Sequence, residues 1–261
     1  MSKPSRLDYA YAVGRVRALE RYLIPQAVFR EASETTNFTA ALKVIYDAGR
    51  YPEDLIKARH SEDLDAVLDR EGKNTEREMS DLLPEKDVLD THLLMDEPEK
   101  ARGAAEQSGY PFLVDYVRHR IDLGNIKVFC RARYLGFSAD YLKARLLPGG
   151  LIEPQTFIDS HALPMTEPAQ QLRTSPYSEL LIQGLEALAE KETFVVLERE
   201  SEDFLMQYLR RARRFTFGPE PVFAYAEAKR RELRLIRLVG VGKFIQLPAE
   251  LLKERISETY V

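Results

Sequence analysis

The stretch Asp122 to Leu146, DLGNIKVFCRARYLGFSADYLKARL, returns 110 residues later as Glu232 to Ile256, ELRLIRLVGVGKFIQLPAELLKERI, without a gap. Six of the 25 positions are identical (Leu123 with Leu233, Ile126 with Ile236, Ala139 with Ala249, Leu142 with Leu252, Lys143 with Lys253, Arg145 with Arg255). Most others exchange like for like, as Asp122 with Glu232 and Tyr134 with Phe244. An internal repeat constrains the fold more than any local motif, because segments with matching apolar and turn positions bury matching faces.

The repeat reads as a helical hairpin. Val117, Ile121, Val128, Ala132 and Leu135 fall at helical spacing and give one helix with a buried stripe, which Gly136 ends. Ser138 stands at an N-cap position with Asp140 in the first turn of the next helix, and Pro148, Gly149 and Gly150 close it. In the second copy Pro248 is expected in the first turn, where proline is well tolerated. A weaker third copy lies at the N-terminus, where Arg21, Tyr22 and Leu23 match Arg133, Tyr134 and Leu135.

Along the chain, Tyr9, Val13, Val16 and Leu23 recur near helical spacing, Pro25 restarts a second helix, and Asn37 precedes a third that Gly49 closes. Pro52 to Lys86 is dense in charge with short apolar signals at Leu64, Val67 and Leu68, and is expected to be helical. Asp87 to Gly103 and Tyr110 to Leu135 read as further helices, parted by Gln107, Ser108 and Gly109. Pro154, Pro164, Pro168 and Pro176 make a connector with short helical turns. Leucines at 180, 181, 185, 188, 205 and 209 then mark two long helices, and Phe194 to Leu197, the one stretch that could be a strand, is expected to be helical like its flanks. Nothing alternates with period two for long. The expectation is an all-α protein in three segments: an N-terminal helical unit over 1–82, a middle repeat unit over 83–164 and a C-terminal repeat unit over 165–261.

The 261 residues are 44% hydrophobic and 31% charged, which suits a folded chain with a substantial core and excludes a disordered one. No apolar run is long enough to cross a bilayer and MSKPSRLDYAYAV lacks the apolar segment of a signal peptide, so a cytoplasmic location is expected. One cysteine, Cys130, excludes a disulfide framework within the chain and is expected to be a small buried hydrophobe. The net charge of −4 selects no partner.

Candidate chemistry is sparse. Gly240, Val241, Gly242 and Lys243 lack the spacer, the following hydroxyl and the preceding strand of a phosphate-binding loop, and the glycines are expected to end one helix and turn into the next. His60, His92, His119 and His161 show no metal spacing and are expected at the surface; no metal site is expected. Acidic pairs such as Asp96 with Glu97 or Glu202 with Asp203 suit a solvated helix face better than catalysis. Arg210, Arg211, Arg213 and Arg214, followed by Phe215 and Phe217, form the best case for a nucleic-acid reader, but the acids of the preceding ERESEDF run are available to pair with them.

Asp122, Asn125, Lys127, Arg131 and Gly136, followed by LLPGG at 146–150, resemble the internal motif of the C subunit of V/A-type ATP synthases, known as the d subunit in eukaryotic vacuolar proton pumps. Gly218, Pro219, Tyr225, Lys229, Glu232, Arg237 and Lys243 resemble the C-terminal block of that family, and Tyr11, Arg15 and Arg17 its N-terminal signature. The resemblance runs from end to end, with departures at Val13 and Leu235, where the family usually has asparagine. It implies a non-catalytic rotor part without a cofactor: a helical funnel that rests on a membrane-embedded ring of proteolipid subunits, receives the central shaft and transmits torque. The chain would touch no nucleic acid, would meet the membrane only through the ring, and would lie on its cytoplasmic side. On this resemblance Arg15, Arg17, Arg131, Arg133 and Lys243 are expected near the cavity or the ring-facing edge, docking acidic or carbonyl-rich partner ends, with intramolecular ion pairs as the alternative. The family usually places three helical units around its cavity, whereas one interior hairpin is found here, so an open two-unit crescent is expected. The competing readings are an unrelated helical-repeat scaffold and a nucleic-acid binder using Arg210 to Arg214.

Overall fold

A computed structural model describes residues 4–163 and 170–261. Every regular element among them is helical: α1 (Ala10–Leu19), α2 (Gln26–Glu34), α3 (Phe38–Ala48), α4 (Asp54–Lys57), α5 (Ser61–Leu82), α6 (Lys86–Leu93), α7 (Pro98–Ser108), α8 (Pro111–Tyr134), α9 (Ala139–Lys143), α10 (Pro154–Ser160), α11 (Gln170–Arg173), α12 (Ser178–Lys191), α13 (Val195–Arg210), α14 (Glu220–Phe244) and α15 (Ala249–Lys253), with short 3₁₀ turns between some of them. The connector prolines Pro164 and Pro168, and the expected unit boundary at 164/165, lie outside the described residues.

The two repeat hairpins, α8/α9 and α14/α15, match bond for bond. The amide of Phe137 donates to the carbonyl of Ala132 and that of Leu247 to Gly242, both at 2.8 Å. Gly136 to Arg133 and Gln246 to Lys243 are both 3.2 Å, and Leu142 to Ser138 and Leu252 to Pro248 are both 3.2 Å. The first two pairs are the bonds of a left-handed C-terminal cap. The residue that adopts it is Gly136 (φ 68°) in one copy and Gln246 (φ 59°) in the other.

Gly240 and Gly242 therefore do not end a helix, contrary to expectation. They lie inside α14, where a methyl group on Gly240 would strike Leu64 and one on Gly242 would strike Leu252. Their role is close packing, of α5 at one level and of α15 at the next. Pro248 is also displaced from its expected place: it is the extended N-cap of α15 (φ −55°, ψ 141°), as Pro25 is of α2 (φ −65°, ψ 150°). The expected helix over 87–103 is two, α6 and α7, because Pro98 cannot sit inside a continuous helix and instead opens α7, which runs on to a left-handed cap at Gly109 (φ 68°). In the weak N-terminal copy a 3₁₀ turn, Glu20–Tyr22, and an extended Leu23 replace the left-handed cap.

α14 is the hub. Every residue from Glu220 to Lys229 is buried, and α1, α2, α3, α5, α6, α8, α13 and α15 all pack against the helix. A helix so placed must be apolar or internally paired around its circumference, which the run PVFAYAEA supplies. Two apolar clusters meet along it. One joins Phe29, Leu42, Ile45, Leu55 and Leu64 of the N-terminal helices to Leu235, Ile236 and Val239. The other gathers α1, α7, α8, α12 and α13 around Val222, Phe223 and Ala226. Val13 and Leu235, the departures from the family asparagines, are both buried apolar residues.

α8 and α14 run side by side in the same direction. Near their N-terminal ends Tyr116 stacks edge-on to Phe223 at 5.3 Å and its hydroxyl lies 3.4 Å from Glu227. About three turns further on, a cavity lies between them. α13 packs against both and runs the opposite way, with Tyr208 against Phe112 at 4.9 Å and, at the far end, Glu202 and Glu198 beside Lys127 and Arg131.

Candidate functional site

The cavity where α8 and α14 part has a volume of about 440 Å³. Its walls carry six cations, Lys127 and Arg131 from α8, Arg199 from α13, Arg231 and Arg234 from α14, and Arg255 beyond α15. Against them stand two carboxylates, Glu198 and Glu202 of α13. Val195, Leu235 and Leu238 supply apolar wall. The cleft is thus strongly positive in a chain whose net charge is −4.

The carboxylates neutralise only part of this charge. Glu198 pairs with Arg131, and Glu202 lies 3.9 Å from Lys127 and 3.4 Å from Arg231. Burial alone would push the Glu202 carboxyl up, but Arg231, Lys127 and Arg234 outweigh it and hold the group below its ordinary range. Burial pushes the Lys127 ammonium down, against the opposing pull of Glu202 and Glu198, and it likewise pushes Arg231 down. Arg199 is drawn aside to Glu200 at 2.6 Å, and Arg234 reaches the exposed Asp96 at 3.4 Å. The Arg255 amide donates to the carbonyl of Leu252 at 3.0 Å, but its guanidinium has no hydrogen-bond or ion-pair partner among the described residues.

Of the five cations expected at an interface, Arg131 lines this cleft. Arg15 lines a separate pocket of about 220 Å³ between α1, α5 and α14, and pairs with Glu78 at 2.9 Å. Arg17 pairs with Glu20 at 2.9 Å and donates to the carbonyl of Ala212 at 3.2 Å. Arg133 donates to the carbonyl of Leu163 and lies over the Phe129 ring, and its repeat equivalent Lys243 donates to the carbonyl of Ser33 at 3.2 Å. The five are therefore not gathered into one patch. Arg199, Arg231, Arg234 and Arg255 are not among the residues expected from sequence. The signal that could have found some of them is the facing pair of stripes, Lys127 with Arg131 one turn apart on α8 and Arg231 with Arg234 on α14.

The other sequence motifs resolve into structure. Arg210 pairs with Glu258 at 2.6 Å and donates to the carbonyl of Thr259, while Arg213 holds the carbonyl of Tyr260 at 2.5 Å and covers its ring. Two arginines of the run, Arg210 and Arg213, thus fasten residues 258–260, while Arg211 lies over the Tyr208 ring at 4.8 Å; none of these bonds goes to the ERESEDF acids that were available to pair with the run. Two histidines are buried, contrary to expectation, because each has a polar partner inside: His92 Nδ1 lies 2.6 Å from Glu227, and His119 Nδ1 lies 2.7 Å from the Tyr177 hydroxyl. Burial pushes His119 down to about 4. Cys130 is buried and its thiol is pushed up to about 12 by that burial, which leaves it unreactive. No group of three metal-ligating side chains occurs among the described residues.

Residues 99–255 match the sequence model of the ATP synthase (C/AC39) subunit family. The C subunit of the V-type sodium ATPase of Enterococcus hirae is 33% identical over 159 residues, which cover 61% of this chain and 48% of that one. The C subunit of the A-type ATP synthase of Thermococcus kodakarensis is 28% identical over 151 residues, 56% of this chain and 39% of that one. The matched stretch spans less than half the length of either relative.

Proposed function

The chain belongs to the ATP synthase (C/AC39) subunit family, which holds the C subunits of V/A-type ATPases and the d subunits of vacuolar ATPases, and from that membership we propose that it is a non-catalytic coupling part of such a rotary ATPase. It joins the central shaft to the membrane proteolipid ring, so that ion movement and ATP turnover in other chains drive one another. The repeat units form a two-unit clamp with a shallow central cavity, and the chain reaches the membrane only through the ring. No helix among the described residues is long and apolar enough to cross a bilayer, which fits that placement.

The observation that carries this proposal, beside the family match, is the cleft between the two repeat helices. A coupling part needs rigid, densely packed helices and a recess that engages another chain, and a hub helix buried from Glu220 to Lys229 beside a charged cavity supplies both. The nucleic-acid alternative loses its main support, since Arg210 and Arg213 already bind residues 258–260.

Affinity purification of the tagged chain from native membranes tests the proposal. Recovery of shaft and proteolipid subunits in stoichiometric amounts is expected. A chain recovered alone, or with partners unrelated to an ATPase, contradicts it.

A further inference from the structure

We propose that the cleft is an acceptor for an acidic segment of a partner protein, whose carboxylates engage Lys127, Arg131, Arg231, Arg234 and Arg255 while an aliphatic side chain of the same segment lies against Leu238. The inference rests on the coupling function proposed above and names the chemistry of what that recess takes.

The two repeats hold their equivalent arginines differently. Arg145, the equivalent of Arg255, is satisfied locally: its guanidinium lies over the Tyr141 ring at 3.6 Å and reaches the Tyr141 carbonyl at 3.4 Å. In the second copy Leu251 stands where Tyr141 stands in the first. The aromatic face is gone, and the Arg255 guanidinium is left at the cleft without a partner among the described residues. One repeat thus keeps its arginine for itself, and the other presents it.

Electrostatics inside the cleft point the same way. Lys127 and Arg231 are pushed down by burial, so the cavity holds positive charge under a desolvation penalty that an incoming anion relieves. Six cations face two carboxylates on the cleft wall, Glu198 and Glu202; both are engaged, Arg199 and Arg234 turn to Glu200 and Asp96 outside it, and the Arg255 guanidinium stays unpaired among the described residues. Because the whole chain carries −4, an acidic partner is repelled elsewhere and admitted here, which gives orientation as well as attraction.

The shape selects among anions. A nucleic-acid strand is tracked by an extended basic stripe, whereas this is a compact recess of about 440 Å³. Inorganic phosphates satisfy the cations but gain nothing from Val195, Leu235 and Leu238, while an acidic peptide with an aliphatic residue uses both kinds of wall.

The probe is a fluorescein-labelled peptide of eight glutamates with a central leucine, titrated into the purified full chain and followed by anisotropy, with an octalysine peptide and inorganic tripolyphosphate alongside. Expected are binding of the glutamate peptide that weakens with salt, none of the lysine peptide, and a loss of about tenfold in Arg255→Gln. A combined Arg131→Gln, Arg234→Gln variant should lose more, with its helical circular dichroism unchanged. Equal binding by wild type and Arg255→Gln, or tripolyphosphate displacing the peptide at lower concentration than the unlabelled peptide does, overturns the inference. Capture of the shaft subunit is scored separately on the same variants. Shaft capture that persists in both variants overturns the acidic-segment inference and leaves the coupling function standing. Peptide binding at the cleft with no shaft capture by wild type does the reverse.

Discussion

Asp122 and Glu232, one repeat apart on parallel helices, hold the same pair of groups: a backbone amide and a tyrosine hydroxyl. Asp122 accepts from the amides of Leu151 and Ile152 at 2.9 and 3.1 Å and from the Tyr177 hydroxyl at 2.8 Å. Glu232 accepts from the amide of Ile24 and the Tyr51 hydroxyl, both at 2.5 Å, and from the Lys229 ammonium at 2.7 Å. The first carboxylate grips the segment that follows its own hairpin. The second grips Ile24 and Tyr51, in the connections before α2 and after α3, which take against α14 the place that Leu151, Ile152 and Tyr177 take against α8. This ties the two ends of the chain together around the hub.

Their neutralisation should differ in cost. Glu232→Gln strands the buried ammonium of Lys229 beside Tyr51 and removes a buried ion pair, so a loss of about 3 kcal/mol is expected in urea unfolding. Asp122→Asn removes no ion pair and keeps one acceptor, so about 1–2 kcal/mol is expected. A larger loss in Asp122→Asn than in Glu232→Gln would contradict this ranking.

The glycines of the repeat separate strain from packing. Gly136 has open space where a side chain would go but a φ of 68°, so Gly136→Ala should cost about 1 kcal/mol from backbone conformation alone. Gly242 has an ordinary helical backbone and Leu252 in contact, so Gly242→Ala should cost about 2 kcal/mol from overpacking. A second substitution, Leu252→Ala, should recover part of the Gly242→Ala loss and none of the Gly136→Ala loss in a double-mutant cycle.

Acid stability should carry the mark of Asp203. Burial raises this carboxyl to about 6 from an unfolded value of 3.8, against the amide of Glu258, which favours the charged form. A raised carboxylate means that the folded chain holds the proton more tightly, so this group stabilises the fold as pH falls from about 6 toward 4 and withdraws that contribution as pH rises. Asp203→Asn should therefore flatten the stability profile across that window and be relatively more stable at pH 7 than at pH 4, by about 1–2 kcal/mol. Glu227 works oppositely. Burial would raise it, but Arg230 and His92 hold it down at about 2, and its contribution is lost only as pH falls below the ordinary carboxylate range.

Much of the fold was legible in the sequence because the repeat is local. The offset of 110 residues places both hairpins, and in the first copy Gly136 and Ser138 stand at the caps as expected, because each depends on residues within a turn or two of one another. What was not legible depends on neighbours far along the chain. Gly240 and Gly242 look like turn residues until Leu64 and Leu252 are seen against them. His92 and His119 look exposed until Glu227 and Tyr177 are placed beside them. The arginine run at 210–214 has acids close by in sequence, yet Arg210 and Arg213 are taken by residues 258–260. The cleft was hidden for the same reason. Of the expected interface cations only Arg131 lines it; the basic pairs Lys127 with Arg131 and Arg231 with Arg234 mark cations on each helix, but their meeting follows from where α8, α13 and α14 part.

On the proposed function, this cleft engages another chain of a rotary ATPase. A photo-crosslinking amino acid placed at Leu238, on the cleft wall, and activated in the assembled membrane complex tests it most directly. The expected result is a crosslink to the central shaft that disappears in an Arg131→Gln, Arg234→Gln background. A crosslink that survives those substitutions, or that falls only on chains foreign to the ATPase, would contradict it.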